Sequence, residues 1–234
     1  MSLLHSRPKE GSLPSAPLIL VINPNSTQDV TDNIDRSLQS FRFQAGPEIV
    51  CDTLRSGPRG IESQAHVDGS SEKLIDYFKA RQGPQPDVVV LACFSDPGVF
   101  ALREVLPSPV LGSAECAYLT ASARGEHFGV ISILSRVVAR HRRQIRLLGL
   151  EHKLAADLPI ERSVVALSDD AATFSRMLEV GRSLIEVHGA DVIIMGCAGM
   201  ARYRDRLEDS LQVPVIDPTQ AAVAMAIGIL RQRG

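Results

Sequence analysis

Two heptapeptides 104 positions apart limit what this chain can fold into more than any other feature. Asp87-Val-Val-Val-Leu-Ala-Cys93 and Asp191-Val-Ile-Ile-Met-Gly-Cys197 share an acid, four large apolar residues, a small residue and a cysteine. The landmarks around them keep step. Pro109-Val110 begins sixteen residues after Cys93, and Pro214-Val215 begins seventeen after Cys197. The apolar run ending at Asn23 lies 70 residues before the first cysteine, and Ser132 lies 65 before the second. Runs that are β-branched on both faces suit strands buried on both sides. A duplicated α/β chain with a cysteine at the end of one strand in each half is the expectation.

The rest of the chain fits that frame. Short apolar runs at Leu18–Asn23, Glu48–Asp52, Asp87–Cys93, Val110–Gly112, Phe128–Ile133, Val164–Leu167, Asp191–Cys197 and Val213–Asp217 read as strands. Helix-length amphipathic stretches at about 27–43, 70–82, 97–106, 114–124, 135–149, 170–188, 200–211 and 219–232 lie between them. This alternation predicts two similar lobes related by pseudo-twofold symmetry. Each is a four-stranded parallel sheet with helices on both faces and right-handed crossovers. The expected division is 17–112 for the first lobe, completed by the C-terminal helix 219–234, and 113–218 for the second. Residues 1–16 carry Pro, Ser and scattered charge without an apolar core segment, and are expected to be a disordered lead-in with no signal peptide.

Composition narrows the function. With 44% hydrophobic residues and a net charge of −2, the chain has enough apolar material for a core and no basic excess for nucleic acid or an anionic membrane. No apolar run is long enough to span a bilayer. A cytoplasmic setting is expected, and Cys51, Cys93, Cys116 and Cys197 then read as thiols. They form no C-x-x-C pair and do not cluster with the histidines, which argues against zinc. No G-x-G-x-x-G or phosphate-binding loop follows a strand.

Ligands of parallel α/β sheets bind at the carboxyl ends of strands. Two related lobes facing each other would bring Cys93 and Cys197 to opposite walls of one cleft. A pair of facing acid/base groups suits inversion at carbon, in which a proton leaves one face and another arrives on the opposite face. Thiols have pKa values near 8.5, and a following helix N-terminus favours the thiolate, so near-neutral values are expected here. The plainer reading of a strand-end cysteine is a small buried hydrophobe. The matched positions favour function for this pair, whereas Cys51 and Cys116 read as packing residues.

At this point the residues resemble a known family. Leu20-Val-Ile-Asn-Pro-Asn-Ser-Thr27, Ala92-Cys-Phe-Ser-Asp-Pro-Gly98, Gly112-Ser-Ala-Glu115 and Gly196-Cys-Ala-Gly-Met200 are similar to motifs of hydantoin and allantoin racemases in the aspartate/glutamate racemase superfamily. The likeness runs from about residue 18 to 230. It implies a site between lobes, catalysis by Cys93 and Cys197, no metal, no pyridoxal phosphate and a homo-oligomer. Glutamate racemases of the superfamily usually carry Cys-Asn-Thr and Cys-Thr-His blocks. Cys-Phe-Ser and Cys-Ala-Gly stand here instead, which suits a neutral 5-substituted hydantoin or allantoin. Where family members often have two threonines after the fifth strand, this chain has Ser132 and Ile133.

The expected substrate-binding residues are Asn23, Gly60, Ile61, Phe94, Ser95, Ser132, Ile133, Ala198 and Gly199. Asn23 has an Asx turn as its plainer reading, and Ser26 with Asp29 reads as a helix cap. Arg136, Arg140 and Arg143 share a helix face, read as solvated or as a subunit contact. Glu115 and Asp217 flank the expected cleft. An amino-acid racemase or a maleate-type cis–trans isomerase is an alternative within the superfamily. A cysteine hydrolase would need a histidine near a thiol, with His127 and His141 as candidates. A two-lobed small-molecule binding protein is the non-enzymatic alternative.

Overall fold

A computed structural model describes residues 16–168 and 170–232. The expected lead-in at 1–16 falls outside the described residues except for its last position. The first sheet holds β1 (Leu18–Asn23), β2 (Glu48–Thr53), β3 (Val88–Leu91) and β4 (Val110–Gly112) in the order β2-β1-β3-β4. The second holds β5 (Phe128–Ser132), β6 (Leu154–Pro159), β7 (Val192–Met195) and β8 (Val215–Ile216) in the matching order β6-β5-β7-β8. All neighbouring strands pair in parallel. The duplication in the sequence is thus a duplication of topology.

The helices are α1 (Gln28–Ser37), α2 (Gln64–Ala80), α3 (Val99–Val105), α4 (Ser113–Arg124), α5 (Ser135–Leu147), α6 (Asp170–Glu186), α7 (Arg204–Leu211) and α8 (Pro218–Gln232). Strand alternation sorts the side chains. Val88 and Val90 of β3 join the main core, which runs continuously into the second sheet. Val89 and Leu91 face the other way, into a smaller cluster under α2 and α3. The helix that follows the first sheet, α4, packs on β7, and the helix that follows the second, α8, packs on β3. Because α4 and α8 also pack on each other, the two sheets share one core.

One expected strand is wrong. Val164–Leu167 is a turn leading into a short 3-10 helix, Val165–Ser168, and the strand beside β5 is Leu154–Pro159. As the edge strand of its sheet, β6 has one fully buried side chain, the polar Asp157, so it lacks the apolar signature of the inner strands. Val164 and Leu167 are buried without being strand residues, because they roof the space between the sheets.

Candidate active site

Cys93 and Cys197 lie just beyond the carboxyl ends of β3 and β7. The backbone holds each in the same way. Ala92 N donates to Ile22 O (2.9 Å), and Gly196 N donates to Ile131 O (2.8 Å), each tying the residue before the cysteine to the neighbouring central strand. A Cβ on Gly196 would come within 2.7 Å of that same Ile131 oxygen, so the close approach requires glycine.

Both cysteines line one small, partly open cavity of about 30 Å³. Ile61, Phe94, Ser95, Ile133, Ala198 and Gly199 line it with them. Three other residues expected at the site do not. Asn23 spends its side chain on its own turn: Nδ2 donates to Asn25 Oδ1 (3.1 Å) and Thr31 Oγ1 (3.0 Å), and Oδ1 accepts from Asn25 N (3.2 Å). Asn25 reaches the cavity in its place. That turn also serves α1, whose first turn is set by Asn25 Oδ1 accepting from Thr27 N (2.9 Å), not by Ser26. Gly60 lies under Val164, where a Cβ would approach the valine side chain to 2.9 Å. Ser132 sits behind the cavity wall, its hydroxyl bonded to Asp157 and to His141 Nδ1.

The roof is a latch between halves. Glu62 Oε1 accepts from Val164 N (2.9 Å), while Arg136 donates to Glu62 Oε2 (2.8 Å) and to its carbonyl (3.0 Å). One water needs about 10–15 Å³, so this arrangement of the roof leaves room for little more than two waters between the cysteines.

The thiols do not have the expected near-neutral acidity. Burial pushes Cys93 up to about 12, against a backbone N–H from Ser95, and the neighbouring Cys197 and Asp96 raise it further while Arg140 lowers it. Cys197 is pushed up to about 11, again chiefly by burial, against the N–H of Gly199, with Glu62 and Asp217 raising it. At both sulfurs desolvation outweighs the backbone donors and favours the thiol over the thiolate. The mutual effect of the two cysteines also means that one ionised thiol disfavours a second.

Sequence reasoning missed two parts of the surroundings. Asp96 is buried, with φ +42°, and its carboxylate accepts from Ala114 N and Glu115 N (both 2.9 Å) at the start of α4 and from Gln144 Nε2 (2.6 Å). Burial raises it to about 7 in spite of these donors. Gly112 leaves room for it, since a Cβ there would lie 2.3 Å from the carboxyl. The second part is Asp157, which orients His141: that histidine, a candidate in the sequence only as a hydrolase partner, lines the cavity with Nδ1 at 2.9 Å from Asp157 Oδ2 and its ring edge-to-face with Phe94. His127, by contrast, precedes β5 and lies at the opposite end of that strand.

The arginine face of α5 is neither free nor simply solvated. Arg136 meets Glu62, Arg143 donates to Gln64 Oε1 (2.9 Å), and Arg140, 8% exposed, donates through Nε to Ser95 Oγ (3.1 Å). All three partners belong to the first half. Glu115 pairs with Arg103 (2.7 Å), and Asp217 accepts from Gln220 N (2.8 Å) at the start of α8. Among the described residues, no three His, Cys, Asp or Glu side chains converge as ligands for a metal ion. No helix among them is long and apolar enough to cross a membrane.

Twin parallel sheets of matching order, with a cysteine-lined cavity at their carboxyl ends, define the class: a duplicated α/β protein. Residues 19–226 match the family described as Asp/Glu/Hydantoin racemase. The chain is 32% identical over 216 residues to a hydantoin racemase of Paenarthrobacter aurescens, covering 89% of each. It is 34% identical to one from Pseudomonas sp. (strain NS671), covering 89% of this chain and 84% of the relative. An allantoin racemase from Klebsiella pneumoniae superposes with a TM-score of 0.88 at 30% identity, over 93% of this chain and 89% of that one. The chain belongs to the Asp/Glu/hydantoin racemase family and is an isomerase.

Proposed function

We propose that this enzyme racemises a 5-substituted hydantoin or allantoin without a cofactor, using Cys93 and Cys197 as the two acid/base groups. The observation that carries this reading is that both cysteines line one small cavity. One thiolate removes the proton from the carbon next to the ring carbonyl, and the carbanion is delocalised onto that carbonyl oxygen as an enolate. The opposite thiol delivers a proton to the other face. The roles exchange with the direction of reaction. Asn25 and the backbone N–H groups of the two cysteine turns are the donors available to ring carbonyls.

Raised thiol pKa values fit a site that ionises only with substrate in place. An isolated thiolate is disfavoured in the empty cavity, whereas a bound ring supplies dipoles that replace lost water. Free thiols also fit a reducing compartment, and we assign the enzyme to the cytoplasm, working as a homo-oligomer. The supporting experiment is incubation of single-enantiomer allantoin and a 5-alkylhydantoin in D₂O. Loss of optical rotation with deuterium entering at the reacting carbon is expected for at least one of them. Neither rotation loss nor exchange on either compound would overturn the reading.

A second reading is favoured by one observation. His141, oriented by Asp157, lines the cavity with the thiols, as a cysteine hydrolase would require. It predicts a ring-opened product that incorporates solvent oxygen. Membership of the racemase family weighs against it.

A further inference from the structure

Among the described residues, Arg140 is the only permanently charged side chain that lines the cysteine cavity. It is 8% exposed, and only its Nε has a protein partner, the Ser95 hydroxyl. Among the described residues its two terminal amino groups meet no acceptor, and no carboxylate lies within ion-pair distance. Its neighbours on α5 differ: Arg136 is paired with Glu62, and Arg146 with Glu151. These terminal groups keep some solvent contact and are not fully buried, so they are free to pair with an anion brought to them, and a partly desolvated, charge-assisted pair there would be strong. Burial lowers its basicity, but an arginine remains charged at neutral pH.

Position indicates what an anion meeting Arg140 would be attached to. Arg140 and Ser95 line both the cysteine cavity and a wider groove of about 650 Å³ between α3 and α5. They form the wall between the two spaces. A ring whose reacting carbon lies between the sulfurs can send the substituent on that carbon past Ser95 toward the groove. Apart from Asn25, Ser95, His141 and the two cysteines, the described wall, including Val30, Ile133 and Val137, is apolar, and it offers no other permanent charge.

We infer that Arg140 is a specificity-determining residue that pairs with a carboxylate on the C5 substituent, which makes carboxyalkyl hydantoins the preferred substrate class. The inference rests on the racemase reading for its chemistry but on binding for its test. Hydantoin-5-acetic acid and hydantoin-5-propionic acid are compared with their neutral carboxamides. Both dissociation constants and kcat/KM are measured for the wild type, Arg140→Lys and Arg140→Gln, after circular dichroism has established that each is folded. A bidentate, charge-assisted contact should favour the acid by about tenfold or more in the wild type. The preference should shrink in Arg140→Lys and vanish or invert in Arg140→Gln.

An acid-to-amide ratio near one in the wild type overturns the inference, and this holds even if the variants fail to fold. Equal losses on acid and amide in Arg140→Gln also overturn it, because they assign the charge to the thiolate or the enolate instead. If the acid binds preferentially but no compound racemises, the racemase reading fails while the assignment of Arg140 stands.

Discussion

The two cysteine turns occupy equivalent places in equivalent sheets, yet they are furnished differently. Cys93 is followed by Phe94, Ser95 and the buried Asp96, and has the Arg140 guanidinium beside it. Cys197 is followed by Ala198 and Gly199, enters a 3-10 helix at once, and has only acids, Glu62 and Asp217, as charged neighbours. Duplication supplies the placement of two sulfurs, and the residues after each strand supply the chemical difference between them. A symmetric scaffold can therefore present unlike walls to the two faces of one carbon.

The largest test of that comparison removes each sulfur. Cys93→Ser and Cys197→Ser should each lower the racemisation rate by about a thousandfold or more, since neither half can finish the reaction alone. A single variant that retained wild-type racemisation would break the equivalence of the halves. Next comes Gly196→Ala, whose new Cβ would press on Ile131 O at 2.7 Å. A loss of about 1–3 kcal/mol in urea unfolding and about a hundredfold in activity is expected. Ala92, at the matching place before Cys93, already carries a Cβ, so Ala92→Gly should cost only about 1 kcal/mol.

Alkylation sharpens the contrast between the sulfurs. With Cys93 pushed up to about 12 and Cys197 to about 11, both should react slowly with iodoacetamide at pH 7 and faster at each step toward pH 10. Cys197 should lead at equal access by roughly threefold, because its larger thiolate fraction is partly offset by the weaker nucleophilicity of the more acidic thiol, as read by peptide mass spectrometry. Equal or reversed order would remove the proposed asymmetry.

The smallest effect concerns the buried helix-capping acids. Asp96 is raised from 3.8 to about 7, so between those values the folded protein holds a proton that the unfolded chain has lost. Stability should fall as pH rises through that window, by at most roughly 1.4 kcal/mol per pH unit. Asp217, raised to about 6, should act over a narrower range. In denaturation across pH 4–8, Asp96→Asn should flatten the slope more than Asp217→Asn does.

Much of this was legible in the sequence, for physical reasons. Inner strands are buried on both faces, so β3 and β7 appear as unbroken apolar runs, and their duplication located the cysteines. The edge strand β6 was not legible: Leu-Ala-Ala-Asp-Leu-Pro neither alternates nor runs apolar, and the β-branched pair Val164-Val165 drew the strand assignment downstream. The arginine face of α5 misled because helical spacing reports which residues share a face, not what that face meets. Ser132, His141 and Asp157 come from two strands and a helix, 9 to 25 residues apart, and no local pattern announces their contact. The lowered acidity of the thiols also escaped, since desolvation depends on how the surroundings pack over them.

The most direct test of the account follows deuterium, not rotation. Each single-serine variant is given each pure enantiomer of a racemised substrate in D₂O, and exchange at the reacting carbon is read by proton NMR. If the two sulfurs face opposite sides of that carbon, each variant should keep whatever exchange it has for one enantiomer only, and the two variants should differ in which one. Exchange of the same enantiomer by both variants, or of both enantiomers by either, would contradict it.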